Sequence, residues 1–154
     1  MLTLIGTYEC KVDTKGRILF PAAFKNQLSE VIDKGFVIKR GVFGKCLELY
    51  PKPEFMRGSS MFDNVNPFIE RNSDFIRKFM DGADIIELDS SGRLLIPKKL
   101  IKDGGISKEV VLASVMNKIE IWDKDRYEKA VTYDPDEFAR LAEQVMGEIK
   151  TEKP

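Results

Sequence analysis

The sequence predicts an α+β protein with a mainly β core, built from two similar halves with helices at the periphery. Three observations carry this. The stretch Asp13-Thr14-Lys15-Gly16-Arg17-Ile18-Leu19-Phe20-Pro21 returns seventy-six positions later as Asp89-Ser90-Ser91-Gly92-Arg93-Leu94-Leu95-Ile96-Pro97. Around each copy the apolar patterns run in the same order: strand, turn, strand, helix, then a hairpin and a short helix. Finally, 154 residues with 43% apolar and 32% charged content suit a folded chain, either one domain or two small repeats sharing a core.

Residues 3 to 12 are rich in β-branched and aromatic types and read as a strand leading into the Asp13 turn and returning to Phe20. The opening Met1 to Gly6 lacks the basic start, long apolar stretch and cleavage site of a signal peptide, and reads as the beginning of that strand. Asp first and Gly fourth suit a type I turn whose last residue is left-handed, with Gly16 absorbing the positive φ as a bulge. Asp13 is placed to accept hydrogen bonds from the turn's own amides. Arg17 leaves just after the tightest point, where a long cationic side chain has room to project. Asp89, Gly92 and Arg93 repeat the device. A lone copy would merely make a sturdy hairpin; duplication points to a shared architecture.

Pro21 fits the first position of a helix, with Phe24, Leu28, Val31 and Ile32 at helical spacing and Gly35 as its stop. Phe36 to Lys39 and Cys46 to Tyr50 form a hairpin around Gly41 and Gly44, and Pro51 and Pro53 begin a short helix that Gly58 weakens. Asn66-Pro67 caps a helix with an apolar stripe from Phe68 to Met80, stopped near Gly82. This helix has no counterpart in the second copy and reads as a link between repeats. Ile85 to Leu88, the Asp89 turn, Arg93 to Ile96 and a helix from Pro97 to Gly104-Gly105 then restate the first half. Val110 to Leu112 and Ile119 to Trp122 close it, with Leu47-Glu48-Leu49-Tyr50 matching Ile119-Glu120-Ile121-Trp122 and Phe55 matching Tyr127. Asp134-Pro135 caps a last helix whose Phe138, Leu141, Val145, Met146 and Ile149 form one apolar face in need of a cover, and Thr151 to Pro154 reads as a frayed end.

Composition narrows function. The absence of His removes His-based triads, most zinc sites and imidazole acid–base chemistry. No Gly-rich phosphate loop follows a strand, and Asp13 and Asp89 are explained by their turns, so an enzyme is not expected and no cofactor is implied. Cys10 and Cys46 sit in apolar patterns and read as buried, reduced thiols of a cytoplasmic protein. No apolar run is long enough to cross a bilayer. Lysine plus arginine equals aspartate plus glutamate, so any DNA-binding surface must come from local segregation of charge.

The doubled Asp-x-x-Gly-Arg with its apolar run and Pro resembles the MraZ family, within the AbrB-like swapped-hairpin group of bacterial DNA-binding proteins. The resemblance spans nearly the whole chain: Gly6, both Asp-to-Pro motifs, the Leu47 to Tyr50 strand and the Ile119 to Asp123 strand with its Trp. The departure is Ser91 where the first copy has Lys15. It implies two half-units that interleave their hairpins into a pseudo-twofold β-barrel. Residues 1–60 would be the first repeat, 61–82 the linking helix, 83–131 the second repeat and 132–154 the C-terminal helix and tail. It further implies a cytoplasmic, nucleoid-associated transcriptional regulator of the bacterial division and cell-wall gene cluster. Such proteins assemble into ring-shaped homo-oligomers and bind direct repeats of double-stranded DNA in their own promoter, with no membrane or small-molecule substrate involved.

The resemblance places DNA contact on the Asp-x-x-Gly-Arg loops, hence Lys15, Arg17 and Arg93. Chemistry agrees: a β-hairpin tip can enter the major groove, where Arg reads guanine O6 and N7, while Lys15 suits a phosphate. Lys11, Lys39, Arg40 and Lys45 add positive charge to the first copy. At the matched places the second has Glu87, Ala113, Ser114 and Lys118, so the N-terminal half is expected to dominate binding, with Arg93 secondary. For Lys39, Arg40 and Lys45 a solvated basic hairpin is an equal alternative. The rival function is an antitoxin-like protein-interaction module on the same fold.

Overall fold

The structure, a computed structural model, describes residues 2–151, the last two by backbone alone. The first half contains β1 (Thr7–Lys11), β2 (Arg17–Leu19), α1 (Ala22–Gln27), β3 (Phe36–Arg40), β4 (Leu47–Pro51) and α2 (Lys52–Gly58). After α3 (Glu70–Met80) the second half follows as β5 (Asp84–Ile86), β6 (Arg93–Leu95), α4 (Lys98–Asp103), β7 (Glu109–Val115), β8 (Lys118–Asp123) and α5 (Lys124–Val131). A last helix, α6 (Pro135–Thr151), closes the chain; the frayed end expected there lies, beyond Thr151, outside the described residues.

Six strands form one antiparallel sheet in the order β1-β7-β8-β4-β3-β5, and β2 and β6 pair in a separate ribbon. The order reads the same from either edge once the halves are exchanged. The first strand of each half flanks the hairpin of the other: β1 pairs with β7 from Thr7↔Ala113 to Lys11↔Glu109, and β5 pairs with β3 from Phe36↔Ile86 to Ile38↔Asp84. The hairpins therefore interleave. The expected barrel does not close, because β1 and β5 end at opposite edges of the sheet and do not meet.

The two arms of each Asp-turn part company at once. Beyond a single bridge between Val12 and Ile18, β1 joins β7 while β2 joins β6. Other expectations shift by a few residues. Strand β1 starts at Thr7, since Gly6 turns the chain at φ +150°. Helix α1 ends at Gln27 and a separate 3-10 turn, Ile32–Lys34, leads to Gly35 at φ +83°. Pro21 and Pro97 stand at the N-cap just outside their helices. Helical winding continues past Gly58 as a 3-10 segment, Ser59–Asn64. Asn66 caps only a turn, its Oδ1 accepting the Phe68 amide at 2.9 Å, and α3 begins four residues later at Glu70.

The core is filled by matched residues from the two halves: Ile18 with Leu94, Phe20 with Ile96, Phe24 with Leu100, Ile38 with Leu112, and Leu47 and Leu49 with Ile119 and Ile121, all buried. The predicted Phe55–Tyr127 equivalence also holds, for each ring meets the aromatic closing its strand edge-on, Tyr50–Phe55 at 5.4 Å and Trp122–Tyr127 at 6.4 Å. Cys46 is buried, its thiol pushed up to about 12 by burial and the nearby Glu120 and Glu48 carboxylates, whereas Cys10 is only partly covered. The apolar face of α6, with Phe138, Leu141, Val145, Met146 and Ile149, is exposed.

One polar cluster interrupts the core. Lys39, read as a DNA contact, is 1% exposed and its Nζ lies 3.2 Å from Glu48 Oε1, with the Phe79 ring 4.1 Å away. Lys118 Nζ holds the other oxygen of Glu48 at 2.7 Å. Burial opposes ionisation of Glu48, but the Lys118 hydrogen bond and both ammonium charges outweigh it and hold the carboxyl below its ordinary value. Loss of hydration leaves Lys39 the weaker cation of the trio, lowered in spite of Glu48. Removing Glu48 leaves the buried Lys39 without its anion and Lys118 with Glu120 at 3.6 Å, so Glu48→Gln should cost about 3 kcal/mol in urea denaturation. A cost near zero would show the trio to be hydrated.

Candidate nucleic-acid interface

Each Asp-turn is braced by its carboxylate. Asp13 Oδ1 accepts the amides of Lys15 at 2.9 Å and Arg17 at 2.8 Å, while the Gly16 amide donates to the Asp13 carbonyl at 3.0 Å. Asp89 repeats this with Ser91 and Arg93, both at 2.9 Å, and Gly92 donates to its carbonyl. Gly16 and Gly92 take φ of +85° and +78°, the left-handed values the type I turn with bulge demands. Each glycine carbonyl then accepts from the opposite half: Phe20 N–H to Gly92 and Ile96 N–H to Gly16. The turns are thus tied to each other's strands.

Pairing of β2 with β6 sets Arg17 opposite Leu95 and Leu19 opposite Arg93. Strand alternation buries Ile18 and Leu94 and leaves Arg17, Leu19, Arg93 and Leu95 on one outward face. The arginines are diagonal neighbours across the ribbon, each just beyond its own turn. Arg17 donates through Nε to Asp13 Oδ2 at 2.7 Å, yet its side chain stays 34% exposed and the two terminal nitrogens make no further protein hydrogen bond among the described residues. Asp13 therefore aims the guanidinium and leaves its terminal fork open, the geometry that suits guanine O6 and N7. Arg93 forms no ion pair among the described residues.

The other basic residues divide. Lys15 is exposed at the first turn. Lys11 is exposed at the end of β1 and lines an open groove of about 630 Å³ with Leu19 and Lys25. Lys25 was not singled out from sequence, because it is far from the second turn along the chain. In the fold its Nζ stands 3.1 Å from where a Cβ on Gly92 would lie, beside the turn that has Ser91 instead of lysine. At the first turn the equivalent place is taken by Ile101, 3.0 Å from a Cβ on Gly16. Lys39 is withdrawn into the core, as described. Arg40 donates to the Lys78 carbonyl at 2.7 Å and approaches Asp81 at 3.7 Å, tying β3 to the end of α3. Lys45 is exposed but lies over Gly105 next to Arg126, at the end of α4.

With this geometry in place, comparison with known proteins decides the family. The family model described as "MraZ protein, putative antitoxin-like" matches residues 3–76 and again 79–148. The chain belongs to the MraZ family. Its similarity to individual members is extensive. It is 53% identical to the transcriptional regulator MraZ of Christiangramia forsetii, over 96% of this chain and 95% of that protein. The Flavobacterium psychrophilum protein of the same name is 50% identical over 99% and 98% of the two chains, and that of Bacteroides fragilis 34% identical over 96% and 94%. Two MraZ repeats in one chain account for the doubled turn, and membership in this non-enzymatic family bears out the reading against an enzyme.

Two outcomes follow from the braced turns. The Arg17 amide does most to hold the Asp13 carboxyl below its ordinary range, against some loss of hydration, with the Arg17 guanidinium and Lys15 amide adding to it. The Arg93 amide does the same for Asp89. Depressed folded values mean that the unfolded chain takes up protons first on acidification. The stabilisation is full above the unfolded carboxylate range and disappears as pH falls through the lower folded values. Asp13→Asn and Asp89→Asn should each flatten the acid limb of a pH–stability curve; curves parallel to the parent would contradict the brace. Gly16→Val should cost about 1–3 kcal/mol, since a β-branched residue resists this φ and its Cβ would press on Ile101.

Proposed function

We propose that this MraZ protein regulates transcription by setting the outward face of the β2–β6 ribbon into the major groove of double-stranded DNA. The observation that carries the proposal is the placement of Arg17 and Arg93 on one exposed face, each leaving an Asp-braced turn. Two-stranded ribbons fit the major groove, and arginine forks read guanine there. Arg17, held by Asp13, acts as a base reader, with Lys15 on a phosphate. Arg93 acts as the second reader, and Lys25 and Lys11 supply the phosphate contacts that its own turn lacks. This redistribution narrows the expected advantage of the N-terminal half, because lysines of the first copy serve the arginine of the second. The division of the chain follows the same logic: repeats at 1–60 and 83–131, a linking helix at 61–82 and a terminal helix from 132.

The target we propose is a set of direct repeats in the protein's own promoter, at the head of the division and cell-wall gene cluster, engaged in the cytoplasm at the nucleoid. A neutral chain with a small basic face holds one site weakly. A ring-shaped homo-oligomer presenting several faces to tandem sites multiplies that grip through effective concentration. Among the described residues no helix is long and apolar enough to cross a membrane. The wording of the family description, together with the exposed face of α6, favours one second reading, capture of a partner protein in the manner of an antitoxin. Stable protein capture without promoter binding would select it.

Gel-shift titration against the upstream region of the protein's own gene tests the proposal. Arg17→Ala should stay folded and lose about 10- to 100-fold of its preference for promoter over scrambled DNA. Lys15→Ala and Lys25→Ala should weaken binding evenly across sequences and each reduce the slope of log affinity against log salt by about one. An Arg17→Ala protein that unfolds, while binding per folded molecule is unchanged, would reduce Arg17 to a structural part. A monomeric variant that still bound tightly would remove the ring from the account.

A further inference from the structure

The ribbon face carries more than its arginines. Leu19 is 59% exposed and Leu95 55%, although each belongs to a strand whose next inward residue is fully buried. Each leucine lies across from the other half's arginine, in the pairs Leu19↔Arg93 and Arg17↔Leu95. Each also leans over the other half's turn: Leu19 Cδ1 stands 4.0 Å from a Cβ built on Gly92, and Leu95 Cδ1 stands 3.9 Å from one built on Gly16. The outward face is therefore a four-residue lattice of two cations and two apolar groups in alternation.

We infer that Leu19 and Leu95 are specificity-determining residues that read thymine by apolar contact with its 5-methyl group, beside the bases contacted by Arg17 and Arg93. The inference rests on the proposal that this face enters the major groove. In that groove thymine alone presents a methyl, and an apolar side chain is the means by which a protein detects it. Arginine handles the acceptor edge of guanine, so the alternation on the ribbon matches sites in which thymine adjoins guanine. The exposure of the leucines supports this use, for an apolar group left in water on a cationic face gains by being covered there.

The test exchanges thymine for 2′-deoxyuridine, which removes the methyl and keeps every pairing and hydrogen-bonding group. Two duplexes of the protein's own upstream region, one with thymine and one with deoxyuridine throughout the repeats, are titrated with the full-length protein. The native protein should bind the deoxyuridine duplex more weakly, by about two- to fourfold for each methyl contacted. Leu19→Ala with Leu95→Ala should bind both duplexes alike, at the weaker affinity. Because the leucines are exposed, the double variant is expected to keep its fold, checked by its thermal transition. Equal binding of both duplexes by the native protein would overturn the inference while leaving DNA binding intact. A preference for thymine that persists in the double variant would also overturn it, assigning the effect to DNA shape. Failure of the native protein to bind the thymine duplex would overturn this inference and the proposed function together.

Discussion

Everything in the molecule hangs on where the chain goes after each Asp-turn. The three-residue strands β2 and β6 keep little pairing in their own halves beyond the turns, since β1 and β5 have left to flank the opposite hairpins. Their strand-long ladder is with each other. Neither half can satisfy its backbone alone, and a short strand with one buried side chain is too small to stand unpaired. Exchange between halves is thus a condition of folding, and it puts the two arginines of the duplicated motif on a common face.

The carboxylate of Asp13 serves two demands with its two oxygens. One oxygen ties up the turn amides, and the other holds Arg17 by Nε. A guanidinium fixed in this way loses less rotamer freedom when it meets a base, because its orientation is already set. Asp89 braces its turn through the amides, and no side-chain hydrogen bond to Arg93 accompanies this. The two repeats of this MraZ protein therefore share a backbone device but hold their arginines differently.

Counting basic residues along the chain overstates the cationic surface. Lys39 and Lys118 close around Glu48 inside the protein, and Arg40 is drawn to the end of α3. These groups hold the central hairpin and the linking helix in place, and their charge is cancelled where it lies. What remains at the ribbon is a smaller set drawn from both halves, with Lys25 delivered to the second turn by α1. A chain of zero net charge can still gather cations at one place, because the fold brings basic residues of both halves to the ribbon.

The sequence by itself determined the local devices. Asp, Gly and Arg at fixed offsets dictate a turn with one left-handed residue, and the spacing of Leu47 to Tyr50 against Ile119 to Trp122 dictates paired strands with matched faces. These are short-range effects of backbone sterics and alternation, so they are legible without a fold. Helix α3 starts at Glu70 and not at Pro67, because Asn66-Pro67 is as good a signal for a turn as for a helix cap. Tertiary structure alone decided which strand pairs with which, that the sheet stays open, and which cations reach solvent. Lys39 and Lys25 make the point: one alternates into the core and the other lies sixty-seven positions from the turn it serves. Long-range pairing fixes both outcomes, and no local pattern encodes it.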